Sequence, residues 1–191
     1  MAYRAIIFDF FGVFAPDVYP NWLTTHIPNW TAERDYYHRL AHQADEGEIT
    51  KEQFLAALAV KAGSTPGQVM RQLDSFTLNP DMVELLKQVS KSHKTALLCN
   101  ASSPIVAPVI VANDLTEYFN EIIFSSDIQM AKPEPRIYQL ALRRLNVTAE
   151  EAIFIDDRAI NIDGAAGEGI TALLYTTFPE LQQQLAKLGI A

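Results

Sequence analysis

Cysteine is nearly missing from this chain: Cys99 is the single one in 191 residues. That excludes a disulfide framework and a thiolate zinc site. Long hydrophobic runs are missing as well, and nothing approaches the roughly 18 consecutive apolar residues that a membrane span needs. Positive charge is scarce, with 15 Lys and Arg against 23 Asp and Glu and a net charge of -8. Without a basic cluster or an aromatic stacking motif, nucleic acid is excluded as the main partner. Internal repeats and low-complexity tracts are absent, and 49% apolar residues are enough to build a core, so global disorder is excluded. The expectation is a soluble, cytoplasmic α/β domain with a modest insertion, as monomer or homodimer.

What is present begins near the start of the chain. The apolar run Ala5, Ile6, Ile7, Phe8 feeds directly into Asp9, followed by Phe10, Phe11, Gly12 and Val13. An apolar run closed by an acid and a glycine turn reads as a buried strand that delivers one carboxylate to a sheet edge. A second such strand, 152–155, ends in Asp156 and Asp157, and Lys132 lies between them in the polar loop Lys132-Pro133-Glu134-Pro135. Two strand-end acid sites and a lysine describe a nucleophile, a metal site and an anion clamp.

The pattern between and beyond these points is helical and then alternating. Pro16 and Pro20 mark an irregular connection, and a helical block follows over 31–76. Thr31 is expected to cap its first helix. Thr50 with Gln53 forms a capping box for the next, which Gly63 ends, and Thr65-Pro66 opens another. From Asn79-Pro80 onward, helices alternate with strands at 95–99, 121–124, 152–155 and 170–175, and a polar helix over 179–188 closes the chain. Such alternation implies a Rossmann-like parallel sheet flanked by helices, with ligands bound beyond the carboxyl ends of the strands. The expected organisation is an α/β core of residues 1–15 and 79–191, with a small all-helical cap, 16–78, inserted after the first strand.

On these residues the chain resembles the haloacid dehalogenase-like hydrolase superfamily, over nearly its whole length. Asp9 stands at the family's nucleophile, Lys132 matches its anion-clamping lysine, and Asp156 and Asp157 fall on its metal-binding acids. The stretch from Asn161 through Gly167 continues the last motif. Four motifs in order, each on the expected element, make a specific signal where one would be weak. The resemblance implies Mg²⁺ held by Asp9, the backbone carbonyl of Phe11, Asp156 and Asp157, and a small phosphorylated metabolite as substrate. Oxygen-only ligands suit that hard cation. Cys99, Asn100 and the backbone N–H groups around Ala101 stand where the family contacts phosphate, with Asn100 and those N–H groups expected to carry more of that contact than the thiol.

Two departures bear on function. The acid usually found two residues after the nucleophile is Phe11, so the usual proton donor to the leaving group is missing. In the family architecture this side chain points toward the leaving oxygen. The hydroxyl expected at the end of the second motif strand is replaced by Cys99, a weaker donor. Similar departures occur in a phosphatase subgroup that includes sugar-1-phosphate hydrolases. They are also similar to metal-independent 2-haloacid dehalogenases, which lack the paired aspartates. Retention of Asp156-Asp157 favours phosphoryl chemistry, and a catalytically impaired phosphate-binding protein is the third reading. Trp22 and Trp30 read as packing residues, His38 and His42 as a solvated helix face, and Arg158 as a rim residue.

Overall fold

The computed structural model describes residues 2–190. Among them a five-stranded, wholly parallel sheet runs in the order β3-β2-β1-β4-β5. In chain order the elements are β1 (Ala5–Phe8), α1 (Tyr19–His26), α2 (Arg34–Asp45), α3 (Lys51–Ala62), α4 (Pro66–Leu73), α5 (Pro80–Val89) and β2 (Lys94–Cys99). There follow α6 (Ser103–Ala112), β3 (Glu121–Phe124), α7 (Ser125–Ile128), α8 (Pro135–Leu145), β4 (Ala152–Asp156), α9 (Ala159–Gly167), β5 (Thr171–Leu174) and α10 (Phe178–Lys187).

Strand periodicity divides the core into two layers. Ile6 and Phe8 face one side with Leu97, Ile153 and Ile155, packing on α5, α6 and α10 through Met82, Leu86, Val106, Ile110 and Leu181. Ala5 and Ile7 face the other side with Ala96, Leu98 and Phe154, against Ile137, Tyr138 and Ala141 of α8 and Ala165 of α9. All four residues of β1 are buried, as a central strand covered on both faces requires. β1 lies where the strand order reverses, with β2 on one side and β4 on the other. That crevice is where open α/β sheets bind ligands.

Helices α1 to α4 pack on a cluster of their own, including Trp22, Leu23, Tyr37, Leu40, Phe54, Leu58 and Val69. The capping box Thr50–Gln53 forms as expected, Gly63 ends α3, and Thr65 opens α4 with a capping box of its own to Gln68. Two expectations fail here. The stretch read as an irregular connection contains α1, because Pro20 sits in its first turn, where no intrahelical N–H is needed. Thr31 does not cap α2; it lies inside a 3₁₀ turn, Trp30–Glu33, and α2 starts at Arg34 without a side-chain cap. The short α7 was not legible, since four residues carry no periodic signal.

Candidate active site

The parallel pairing of β1 with β4 brings the two acidic strand ends together. Phe8 is in register with Ile155, and the Asp9 N–H donates to the Ile155 carbonyl at 2.9 Å, so Asp9 emerges beside Asp156. Lys132 reaches in from the loop before α8. Its Nζ lies 2.6 Å from Asp9 Oδ1 and 2.7 Å from Asp156 Oδ2, with 1% of the side chain exposed. The loop lysine is therefore a buried cation bridging two carboxylates.

Asn100 fixes that lysine from behind. Its Oδ1 accepts from the Lys132 N–H at 2.9 Å and its Nδ2 donates to the Lys132 carbonyl at 2.8 Å. Asn161, at the start of α9, donates from Nδ2 to both oxygens of Asp156 at 3.0 Å, and the Arg158 N–H donates to Asp156 Oδ1 at 2.8 Å. Tyr138 in turn donates to the Asn161 carbonyl. Asp157 approaches the loop after β1 through Gly12. With φ at +84° and an added Cβ only 2.2 Å from the Asp157 carboxyl carbon, that position takes no other residue without displacing the acid.

Burial and charge set the protonation states. Burial opposes the Lys132 charge, but Asp9 and Asp156 override it and raise the ammonium's pKa. Burial lifts Asp9 to about 7 against the pull of Lys132, with Asp156 adding to the rise. Asp157 is raised by burial and by Asp156. Burial and then Asp9 raise the Cys99 thiol well above its usual value, so it is not a nucleophile.

One carboxylate oxygen from each of Asp9, Asp156 and Asp157 lies within 4.8 Å of the other two. Three acids against one lysine leave negative charge uncompensated, and an all-oxygen donor set suits a hard divalent cation. The Phe11 carbonyl accepts no backbone hydrogen bond among the described residues. Asn161 Oδ1 is buried without a partner, the kind of acceptor that a hydrated ion satisfies. The residues present fit a divalent metal.

The other residues singled out in the sequence have partners of their own. Ala101 is 4% exposed, and its N–H, expected on phosphate, already donates to Ser125 Oγ at 3.0 Å. Cys99 is 1% exposed and belongs to the core, so it offers substrate no surface. The Asn100 amide is engaged with the backbone of Lys132, which makes it a positioning group. The Phe11 ring is held edge-on by Phe10 and Phe76, with centroids 5.0 and 5.9 Å away, packing the loop after β1 on the linker before α5. Trp22 is buried and donates to Gln72, Trp30 is half-buried under Arg34, and His42 pairs with Glu46. The fully buried Ser125 and the half-buried Asp45 at the end of α2 were missed. Ser125 Oγ donates to the Asp45 carbonyl, 80 residues away, a pairing without a local signal.

A parallel α/β sheet with a carboxylate at its switch point, a buried lysine and an acidic pair defines a hydrolase-type site built on an aspartate. The chain belongs to the haloacid dehalogenase-like hydrolases, whose family model matches residues 3–169. It is 32% identical over 107 residues, 54% of this chain and 47% of the relative, to (S)-2-haloacid dehalogenase 1 of Pseudomonas sp. (strain CBS-3). It is 33% identical over 93 residues, 48% of this chain and 43% of the relative, to the phosphorylated carbohydrates phosphatase of Thermotoga maritima. The chain thus spans less than half the length of either relative. The fold is similar to that of the wild-type enzyme bt-2542 of Bacteroides thetaiotaomicron in complex with magnesium and inorganic phosphate, at 20% identity and a TM-score of 0.76 over 94% of this chain and 99% of that one. No helix among the described residues is long and apolar enough to cross a membrane.

Proposed function

We propose that the chain is a metal-dependent phosphatase acting on a small phosphorylated metabolite through an aspartyl-phosphate on Asp9. The observation that carries this reading is the cluster of Asp9, Asp156 and Asp157 beside Lys132. Asp9 Oδ1 is held by Lys132, and the Phe10 backbone N–H also supports the carboxylate. The carboxylate is thus positioned from the lysine and from its own loop. Asp9, Asp156, Asp157 and the Phe11 carbonyl would hold Mg²⁺, which when bound offsets the charge of the phosphoryl oxygens.

Lys132 orients Asp9 and receives a phosphoryl oxygen at its ammonium, which stays charged. Asp9 then attacks phosphorus in line with the leaving oxygen. Asn100 and Asn161 keep Lys132 and Asp156 in place without touching the reacting atoms. Phe11 supplies no proton, so leaving oxygens of low basicity, such as those of sugar-1-phosphates, acyl phosphates and aryl phosphates, are the preferred class.

Phosphate release from a panel of aryl, anomeric and alkyl phosphates, with Mg²⁺ and with chelator, tests the reading. Activity that survives chelator, or that Asp9→Asn leaves undiminished, overturns it. Phe11 and the similarity to a 2-haloacid dehalogenase favour a second reading, attack of Asp9 on carbon with halide leaving. Halide release from a short 2-haloacid in chelator would establish that chemistry instead.

A further inference from the structure

One acid of the helical segment, Asp45, lies within the field of Lys132 and Asp9. Asp45 is the last residue of α2, an end where the helix macrodipole disfavours negative charge. The turn that follows is fastened to the core beside the catalytic loops. Ser125 Oγ donates to the Asp45 carbonyl, and Gly47, at φ +72°, lies so near Ser126 that an added Cβ would be 2.6 Å from its carbonyl oxygen. The Asp45 carboxylate has no hydrogen-bond partner among the described residues, and it is half-buried. The charges acting on it are Arg158, Asp17, Lys132 and Asp9; Tyr19 of α1 and the Cys99 thiol also lie within its field.

We propose that Asp45 is the catalytic acid and base of this enzyme, serving from the helical segment in place of the carboxyl that Phe11 lacks. The assignment rests on the phosphatase reading above. In the first step the bond from Asp9 to phosphorus forms, the bond from phosphorus to the leaving oxygen breaks, and the Asp45 proton passes to that oxygen. In the second, the Asp45 carboxylate takes a proton from a water whose oxygen bonds to phosphorus as the Asp9 ester bond breaks. Phosphate leaves and both acids are restored. Burial, with Asp17 adding to it, lifts the Asp45 carboxyl to about 8 against the pull of Arg158, so it carries its proton near neutral pH.

The test compares wild type, Asp45→Asn, Asp45→Glu and Glu46→Gln on p-nitrophenyl phosphate and glycerol phosphate with Mg²⁺, across pH. Asp45→Asn should lose about 10²-fold or more on the alkyl ester and less than about tenfold on the aryl ester. Its alkyl rate should also lose the decline toward high pH that deprotonation of the acid causes in wild type. Asp45→Glu should restore much of the alkyl rate, and Glu46→Gln should match wild type. In metal-free protein, the melting temperature of Asp45→Asn should gain on wild type as pH rises between about 5 and 8, because wild type then loses the stability of a buried neutral acid. Equal losses on both esters, or an unchanged alkyl rate and pH profile, overturn the assignment of Asp45 alone. Wild-type inactivity on every phosphate ester overturns the phosphatase reading and this role with it.

Discussion

Replacing Lys132 by Met removes the one charge that separates two buried carboxylates. Its Nζ lies 2.6 Å from Asp9 and 2.7 Å from Asp156 with 1% of the side chain exposed. Met keeps the length without the charge, and the two acids then face each other unscreened. Removing one partner of a buried pair costs about 3–5 kcal/mol, whereas a surface pair contributes about 1 kcal/mol or less. The loss has a direction in pH. Asp9 rises to about 7 even with the lysine in place, and it rises further without it. A carboxyl whose folded pKa exceeds its unfolded value contributes stability that is full at low pH and is lost as pH climbs toward the folded pKa. Lys132 is raised beyond lysine's ordinary value and stays charged in wild type throughout. The variant's deficit should therefore be modest near pH 5 and widen to several kcal/mol by about pH 8. Urea unfolding in chelator at both pH values reads it. A deficit below about 1 kcal/mol at the higher pH, or one independent of pH, would refute the bridging role.

Three further outcomes follow from the same geometry. Asn100→Ala removes both bonds to the Lys132 backbone and should cost about 1–3 kcal/mol by denaturation, with a larger proportional loss in kcat than in substrate affinity. Gly12→Ala drives a Cβ into Asp157 at a positive φ; calorimetric titration should show weakened Mg²⁺ binding, and unchanged affinity would remove Asp157 from the metal site. Leu58→Ala empties a fully buried position in the cluster of α1 to α4 and should destabilise by about 2–5 kcal/mol, measured by thermal melting.

Phe11 shows how far the resemblance to a family carries. By position Phe11 falls where the family carries an acid, and in the structure its ring packs between Phe10 and Phe76. Placing a carboxyl there by Phe11→Asp would therefore also remove aromatic packing between the loop after β1 and the linker to α5. By position Asn100 and the N–H groups around Ala101 fall at the phosphate; the Asn100 side-chain amide is engaged by Lys132 and the Ala101 N–H by Ser125.

The sequence by itself determined the features that depend on neighbours along the chain. Apolar runs specify the buried strands, an acid after such a run specifies a strand-end carboxylate, and Thr50 with Gln53 or Thr65 with Gln68 closes a capping box three residues apart. These signals are local because a helix cap or a strand face is satisfied within a few residues. Only the tertiary structure decided which polar groups remain free for chemistry. Asn100 meets Lys132 across 32 positions, Ala101 meets Ser125 across 24, and Ser125 meets Asp45 across 80. A buried donor or acceptor must find a partner wherever the packed chain supplies one, and that choice is fixed by how the sheet, α7 and the end of α2 come together.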